Sequence, residues 1–416
     1  MGHYKRGDFV KKVGIYNPYL DTKGGGERVC LTLAETLAKN PDLRVSMITH
    51  KKEDLKIYEK YFAIDLNRVD NFVVTFDTKT VQFLMRIPMM PGRIRNLISD
   101  LRVRKCIRQA GFDVFVNNCH QSNLPNPCKY GVYMCMFPQK LSYERGELGT
   151  LKSIYVSMAS RLSRLMLHPA HKYPIDTYQL ITANSAYTQS YITRLWKRDS
   201  DILYPYGEDM LQSGATKQKQ ILSVGRFFEN VGENHNKRHD LMVEAFKGLP
   251  ELHKQGWELH LAGSVAEDVG TLRYVIDLLK AAEGYPIFFH FNCPYPQLKK
   301  LFNQATIYWH ATGFGSDPEK HPEKQEHFGI VTVESLSAKC VPIVINSAGQ
   351  KEVITEGENG FLWDSIKELH EKTTMVAHMK PAERTKLQKT ARSSFHRYDK
   401  VAFEKLVIQI FGELYQ

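Results

Sequence analysis

The chain has 416 residues and a formal net charge of +11; hydrophobic residues make up 43% and charged residues 24%. This balance is ordinary for a globular protein and excludes collagen-like, low-complexity and disordered chains, while the length suits two domains of about 200 residues each. Apolar runs such as Val341–Ile345 fall far short of a membrane span, Met1–Lys12 lacks a secretory h-region, and seven cysteines without a CxxC do not form a disulfide framework, so a cytoplasmic setting is expected.

Val13–Tyr16 reads as a short buried strand followed by a glycine-rich loop, Lys23-Gly24-Gly25-Gly26-Glu27-Arg28. Val29, Leu31, Leu33, Ala34, Leu37 and Ala38 then recur on one helical face. Arg44–Thr49, Asp113–Asn117, Gly131–Met136 and Leu180–Ala183 read as later strands. A second cycle begins near Gln220 with Ile221–Arg226, an amphipathic helix at His239–Lys247, and strands at Glu258–Ala262, Ile287–Phe291, Ile307–His310 and Val341–Ile345. Alternating strands and helices imply parallel sheets. The Tyr204-Pro205-Tyr206-Gly207 segment has hinge composition. The expected fold is α/β, with two Rossmann-like doubly wound domains facing across a cleft. The first would span 1–205, the second 206–397, and a last helix at 398–416 would return to the first.

Chemistry concentrates in the second half. Glu326-His327-Phe328-Gly329-Ile330-Val331-Thr332-Val333-Glu334 holds two glutamates separated by seven residues. Gly329 lets the chain turn close to a phosphate, and the amides of Ile330, Val331 and Thr332 then face it from a helix N-terminus. Glu334 lies about a turn further on, where a carboxylate can accept from two ribose hydroxyls, and Glu326 can reach a donor sugar. Taken alone, the spacing also describes a helix with a surface Glu at each end. Upstream, Gly225, Arg226 and Lys237 supply a strand end and two cations. Such cations neutralise a diphosphate leaving group; a lone Lys or Arg is otherwise surface charge.

In this order the motifs resemble the family-four retaining glycosyltransferases of the GT-B fold. The resemblance runs through Gly25-Gly26-Glu27-Arg28, Asn184-Ser185-Ala186-Tyr187-Thr188, Tyr204-Pro205, Gly225-Arg226 with Lys237, Glu326 to Glu334, and Asn359-Gly360-Phe361-Leu362. It implies transfer of a sugar from a nucleotide diphosphate donor, UDP- or GDP-linked, to a glycan or lipid-linked hydroxyl with retention. Arg226 and Lys237 would hold the diphosphate, Glu334 the ribose, and Glu326 would lie by the donor sugar. Gly225 and Phe328 would border that site, and Gly24, Gly25 and Gly26 would let the first-domain loop approach donor and acceptor.

Two departures stand out. Met136 occupies the position where the family often has a histidine contacting the donor's C6 hydroxyl, which points to a donor without that hydroxyl; His120 is a candidate substitute. Lys339 replaces a usual glycine. The loop Gly313–Gln325 is also long and charged.

No nucleophile with a partnered base is evident, so the leaving phosphate oxygen is expected to deprotonate the acceptor on the same face, with positioning and electrostatics carrying catalysis. No Asp-x-Asp is recognised as a metal motif in the chain, so no cofactor and no metal is expected, the nucleotide sugar being a co-substrate.

Two basic amphipathic stretches belong to the acceptor side. Phe83–Arg108 interleaves Leu84, Met85, Ile87, Met89, Met90, Ile94, Leu97, Ile98 and Leu101 with seven cations; Leu151–Leu167 groups Ile154, Tyr155, Met158, Leu162, Leu165 and Met166 beside Arg161 and Arg164. Such helices lie on an anionic membrane or guide a lipid-phosphate acceptor, or else pack on the core with a solvated basic edge. A GT-B epimerase would bring a clear acid and base, a phosphorylase a cofactor lysine, and a non-catalytic sugar-nucleotide binder would not need the full cation and carboxylate set. Nucleic acid is suggested by charge alone, with no motif for it.

Overall fold

The computed structural model describes residues 10–18, 20–22, 24–74, 86, 92–141, 150–228 and 236–412. The chain divides into two compact units: Met1–Asn184, Thr188–Leu203 and Glu404–Gln416 form one, and Ser185–Tyr187 with Tyr204–Phe403 form the other.

Among the described residues the first unit is built on seven strands: β1 (Lys11–Tyr16), β2 (Leu43–Thr49), β3 (Val69–Val73), β4 (Val114–Asn117), β5 (Tyr130–Cys135), β6 (Leu180–Ala183) and β7 (Asp201–Ile202). They pair in parallel in the order β3-β2-β1-β4-β5-β6-β7. Helices α1 (Gly25–Ala38), α2 (Leu55–Phe62), α3 (Gly92–Ala110), α4 (Thr150–Leu167) and α5 (Ala186–Trp196) make the connections. Central strands are apolar on both faces because helices cover both: Val13, Ile15, Val45, Met47, Ile48, Phe115, Val116 and Val132 are fully buried. Each such side chain contributes roughly 1.5–3 kcal/mol of burial.

The second unit repeats the plan with β8 (Gln218–Val224), β9 (Glu258–Gly263), β10 (Ile287–Phe291), β11 (Ala305–His310), β12 (Val341–Ile345) and β13 (Phe361–Trp363). All pair in parallel, in the order β10-β9-β8-β11-β12-β13. Its helices are α6 (His239–Lys247), α7 (Pro250–Lys254), α8 (Val269–Ala281), α9 (Tyr295–Gln304), α10 (Ile330–Ser337), α11 (Gln350–Val353), α12 (Ile366–His378) and α13 (Pro381–Phe395); α14 (Lys400–Ile410) follows. Its core holds Trp309 and Trp363, both buried, with the Trp309 indole N–H donating to Thr373 Oγ1 at 3.1 Å.

In both sheets the strand order reverses beside the first strand of the cycle, between β1 and β4 and between β8 and β11. Ligands of open α/β sheets bind outside the carboxyl ends at such switch points. In α14 Phe403 and Val407 are buried, as is Phe411 just after it, while Val401 is exposed; Glu404 forms an ion pair with Lys39 at 2.9 Å.

Candidate active site

At the second switch point, β8 ends in Val224 and the chain passes through Gly225 and Arg226, while the neighbouring β11 ends at His310. The stem of Lys237 lies directly over Gly225: a Cβ there would come within 2.4 Å of Lys237 Cγ. Glycine is therefore required for the lysine to approach the strand end. Lys237 Nζ donates to Glu326 Oε2, and His310 Nε2 lies 3.2 Å from the same oxygen. The two ionic side chains are about one-fifth exposed, and His310 is buried.

Burial pushes the Glu326 carboxyl up, but the Lys237 ammonium and the hydrogen bond from His310 outweigh it and hold the group well below the usual carboxylate range. Burial lowers His310 below the ordinary histidine value, against the opposing pull of Glu326. A carboxylate only accepts, so neutral His310 carries its proton on Nε2 and donates it to Glu326. Its Nδ1 is buried without a partner among the described residues.

The chain then turns through Phe328, buried between the rings of Tyr204 and Tyr398, to Gly329 at φ 102° and ψ 59°. That left-handed conformation suits glycine alone and starts α10. The amides of Ile330, Val331 and Thr332 open this helix without an acceptor of their own within it, as first-turn amides do, and the helix dipole adds positive potential there. Beneath the turn lies Gln350, fully buried, with neither atom of its side-chain amide bonded. Glu334, buried on the second turn of α10, faces the amide of Glu208 at 3.4 Å.

Arg226 is exposed, its guanidinium 5.8 Å from the centre of the Phe228 ring. No bond joins it to the Lys237–Glu326 pair among the described residues. Arg238, at φ 55°, instead anchors the long charged loop: it donates to Phe314 O and pairs with Asp240. Gln325 closes that loop by accepting from Ser347 Oγ at 2.7 Å.

Lys339 sits at φ 62°, just past the end of α10. Its amide bonds Leu336 O and the amide of Cys340 bonds Ser335 O, both at 3.0 Å. This paired closure of a helix C-terminus favours glycine, which explains why a glycine is usual there.

In the first unit, Gly24 precedes α1 and its amide is held by Glu27 Oε2 at 2.8 Å. Gly25 opens the helix, and a Cβ on Gly26 would come within 3.2 Å of Met136 Cε, so the loop and the departure at Met136 are neighbours. His120 lies just beyond the carboxyl end of β4 and is exposed. Lys23, and Phe83–Ile87 and Met89–Met90 of the first basic stretch apart from Arg86, lie outside the described residues. The seven cysteines are all free thiols. The chain's Asp-x-Asp, Asp199-Ser200-Asp201, leads into edge strand β7 of the first unit, whereas Lys237 and Glu326 belong to the second.

Sequence reasoning missed His310 and Gln350. The signal for His310 was available, since it is the polar residue that ends the apolar run Ile307-Tyr308-Trp309; Gln350 carried none.

A family model described as glycosyl transferases group 1 matches residues 208–394, the segment that contains Lys237, His310, Glu326, Gln350 and α10. The chain is a glycosyltransferase. It is 25% identical over 444 residues to a GDP-Man:Man(3)GlcNAc(2)-PP-Dol alpha-1,2-mannosyltransferase of Xenopus laevis, covering 96% of this chain and 87% of that protein. Its identity to the Homo sapiens protein of the same description is 27%, over 99% and 89%. A solved glycosyltransferase from Rickettsia africae has the same fold, with a TM-score of 0.64, 14% identity and coverage of 98% of this chain and 99% of that one. The glycosyltransferase therefore has the GT-B architecture and moves a sugar, with retention, from a nucleotide diphosphate donor to a glycan or lipid-linked acceptor.

Proposed function

We propose that this glycosyltransferase is an α-1,2-mannosyltransferase that takes mannose from GDP-mannose and adds it to a lipid-diphosphate-linked oligosaccharide. One observation carries the reading: five relatives sharing that printed activity match over 96–99% of this chain. An α-1,3/1,6 linkage is the second reading, favoured by a human mannosyltransferase of that description matching over 56% of the chain. A mannose donor bears the 6-hydroxyl, so this reading sets aside the deoxy-sugar expectation drawn from Met136.

In this reading Lys237 exchanges Glu326 for the diphosphate, with Arg226 adding a second positive charge. The amides of Ile330, Val331 and Thr332 bind the same phosphates from the helix N-terminus. Glu334 accepts from the ribose hydroxyls. Glu326, released from Lys237 and steadied by His310, lies by the donor sugar and stabilises positive charge developing at its anomeric carbon. The departing phosphate oxygen takes the acceptor proton on the face it leaves, which preserves configuration. Fixed cations neutralise the leaving group, so we infer that no metal is needed. Gly24, Gly25, Gly26, His120 and Met136 are assigned to substrate recognition by the first unit. The enzyme works in the cytoplasm, peripheral to a membrane that supplies the lipid-linked acceptor.

The test is transfer from radiolabelled GDP-mannose to a synthetic lipid-diphosphate trimannosyl chitobiose, with the product digested by an α-1,2-specific mannosidase. GDP should raise the melting temperature more than UDP does, because a ligand of the folded state stabilises by mass action. Lys237→Ala and Glu334→Ala should each lower turnover at least about a hundredfold, the usual scale for losing a charge-stabilising group, with melting behaviour preserved. Wild-type rates in both variants would refute the site assignment. Turnover of UDP-sugars alone would refute the donor, and product resistant to the α-1,2 enzyme would refute the linkage.

A further inference from the structure

The described side chains of α4 leave its apolar face uncovered. Ile154, Met158, Leu162, Leu165 and Met166 are between 45% and 71% exposed. At about 100° per residue they share one arc of roughly 120°, and Arg161 and Arg164 border it on one side. Both arginines are exposed, and the 18-residue helix contains no acid. The neighbouring α3, whose Arg104 donates to Met166 O at 3.1 Å, adds exposed Arg95, Lys105 and Arg108 against the single acid Asp100. Of the two readings open for this stretch, core packing is not met: only Leu167, at the end of α4, is buried among its described side chains.

Exposed apolar faces also occur where charge is balanced. On α8, Val269, Leu272, Ile276 and Leu279 form a comparable stripe. There Arg273 and Lys280 are matched by Asp268 and Asp277. The distinction of α4 is the coupling of large apolar side chains to cations of one sign, which is the composition of helices that lie in a headgroup layer. Cations near a bilayer gain from anionic lipid, and the apolar arc then enters the acyl boundary.

We propose that α4 docks this glycosyltransferase onto an anionic lipid bilayer. The proposal deepens the lipid-linked acceptor reading, on which its biological sense rests; its physical basis is the helix face itself.

The test is flotation of the full chain with vesicles of phosphatidylcholine alone or with about one-quarter phosphatidylserine. Wild type should bind the anionic vesicles at least about tenfold more than the neutral ones, and lose binding as salt rises. Met158→Asp with Leu165→Asp should reduce binding tenfold or more, and Arg161→Glu with Arg164→Glu should remove its dependence on anionic lipid. The milder pair Met158→Gln and Leu165→Gln, with melting curves recorded for every variant, separates docking from misfolding. Leu272→Asp with Ile276→Asp on α8 should bind as wild type does.

Equal binding to both vesicle types, or undiminished binding by the α4 variants, would overturn the proposal. So would self-association that depends on α4 in the absence of vesicle binding. Transfer to a short-chain, water-soluble lipid-diphosphate acceptor is measured in parallel and should be unchanged in the α4 variants. Vesicle binding without sugar transfer would refute the mannosyltransferase reading and leave docking standing. Transfer without vesicle binding would refute docking alone.

Discussion

Replacing Gly329 by alanine isolates the geometry on which the phosphate-facing turn depends. Its φ of 102° is left-handed, and an L-residue held there costs about 1–2 kcal/mol. The new Cβ would also come within 2.3 Å of Gln350 Nε2, in a side chain that is fully buried. Overpacking of that kind adds about 1–3 kcal/mol. The sum is about 3 kcal/mol, or roughly 10 °C in the melting temperature of a unit of this size. Gln350→Ala alone gives up no hydrogen bond from its amide, because that amide has no partner. The double variant should therefore regain the overpacking part and keep the backbone part, melting between the single variant and wild type. Calorimetry of the four proteins completes the cycle, and GDP titration should show weakened binding in both proteins that carry Gly329→Ala. A single variant as stable as wild type, or a double variant no more stable than the single, would refute the reasoning.

Lys339→Gly removes an unfavourable left-handed lysine from the end of α10 and should raise stability by about 1 kcal/mol, roughly 2–4 °C; an unchanged or lower melting temperature would contradict it. His239 is fully buried against the Phe227 ring, with neither ring nitrogen bonded, and burial lowers its pKa to about 3. Its unfolded-state value is about 6.5, so the unfolded chain binds the proton first and stability falls as pH drops from about 6.5 towards 3, by about 1.4 kcal/mol per unit. The stability difference between wild type and His239→Phe should accordingly shift by about 2 kcal/mol between pH 7 and pH 5 in favour of the variant; a constant difference would rule the effect out.

Much of this architecture was legible in the chain. Strands buried on both faces leave apolar runs that periodicity detects, and the ten strands read in advance all occur. The three that escaped, β3, β7 and β13, are all edge strands. An edge strand has one neighbour and less cover, so β3 carries Asp70 and Asn71, and β7 has only two residues. The last helix was foreseen from its apolar residues, of which Val407 is buried and Val401 exposed; the buried Phe403 and Phe411 were not singled out.

The sequence by itself determined the covalent chemistry of the site: which cations, which carboxylates, and a glycine where the chain must turn left-handed. Tertiary structure alone decided which of them meet. Lys237 and Glu326 are 89 residues apart yet bonded, because parallel pairing sets the carboxyl ends of β8 and β11 side by side. Arg226, only one residue beyond Gly225, instead faces solvent. The same distinction governs α4: its amphipathic pattern fits a core helix or a surface helix equally well. Whether an apolar arc is covered depends on what the rest of the chain brings to it, and no spacing within the helix encodes that.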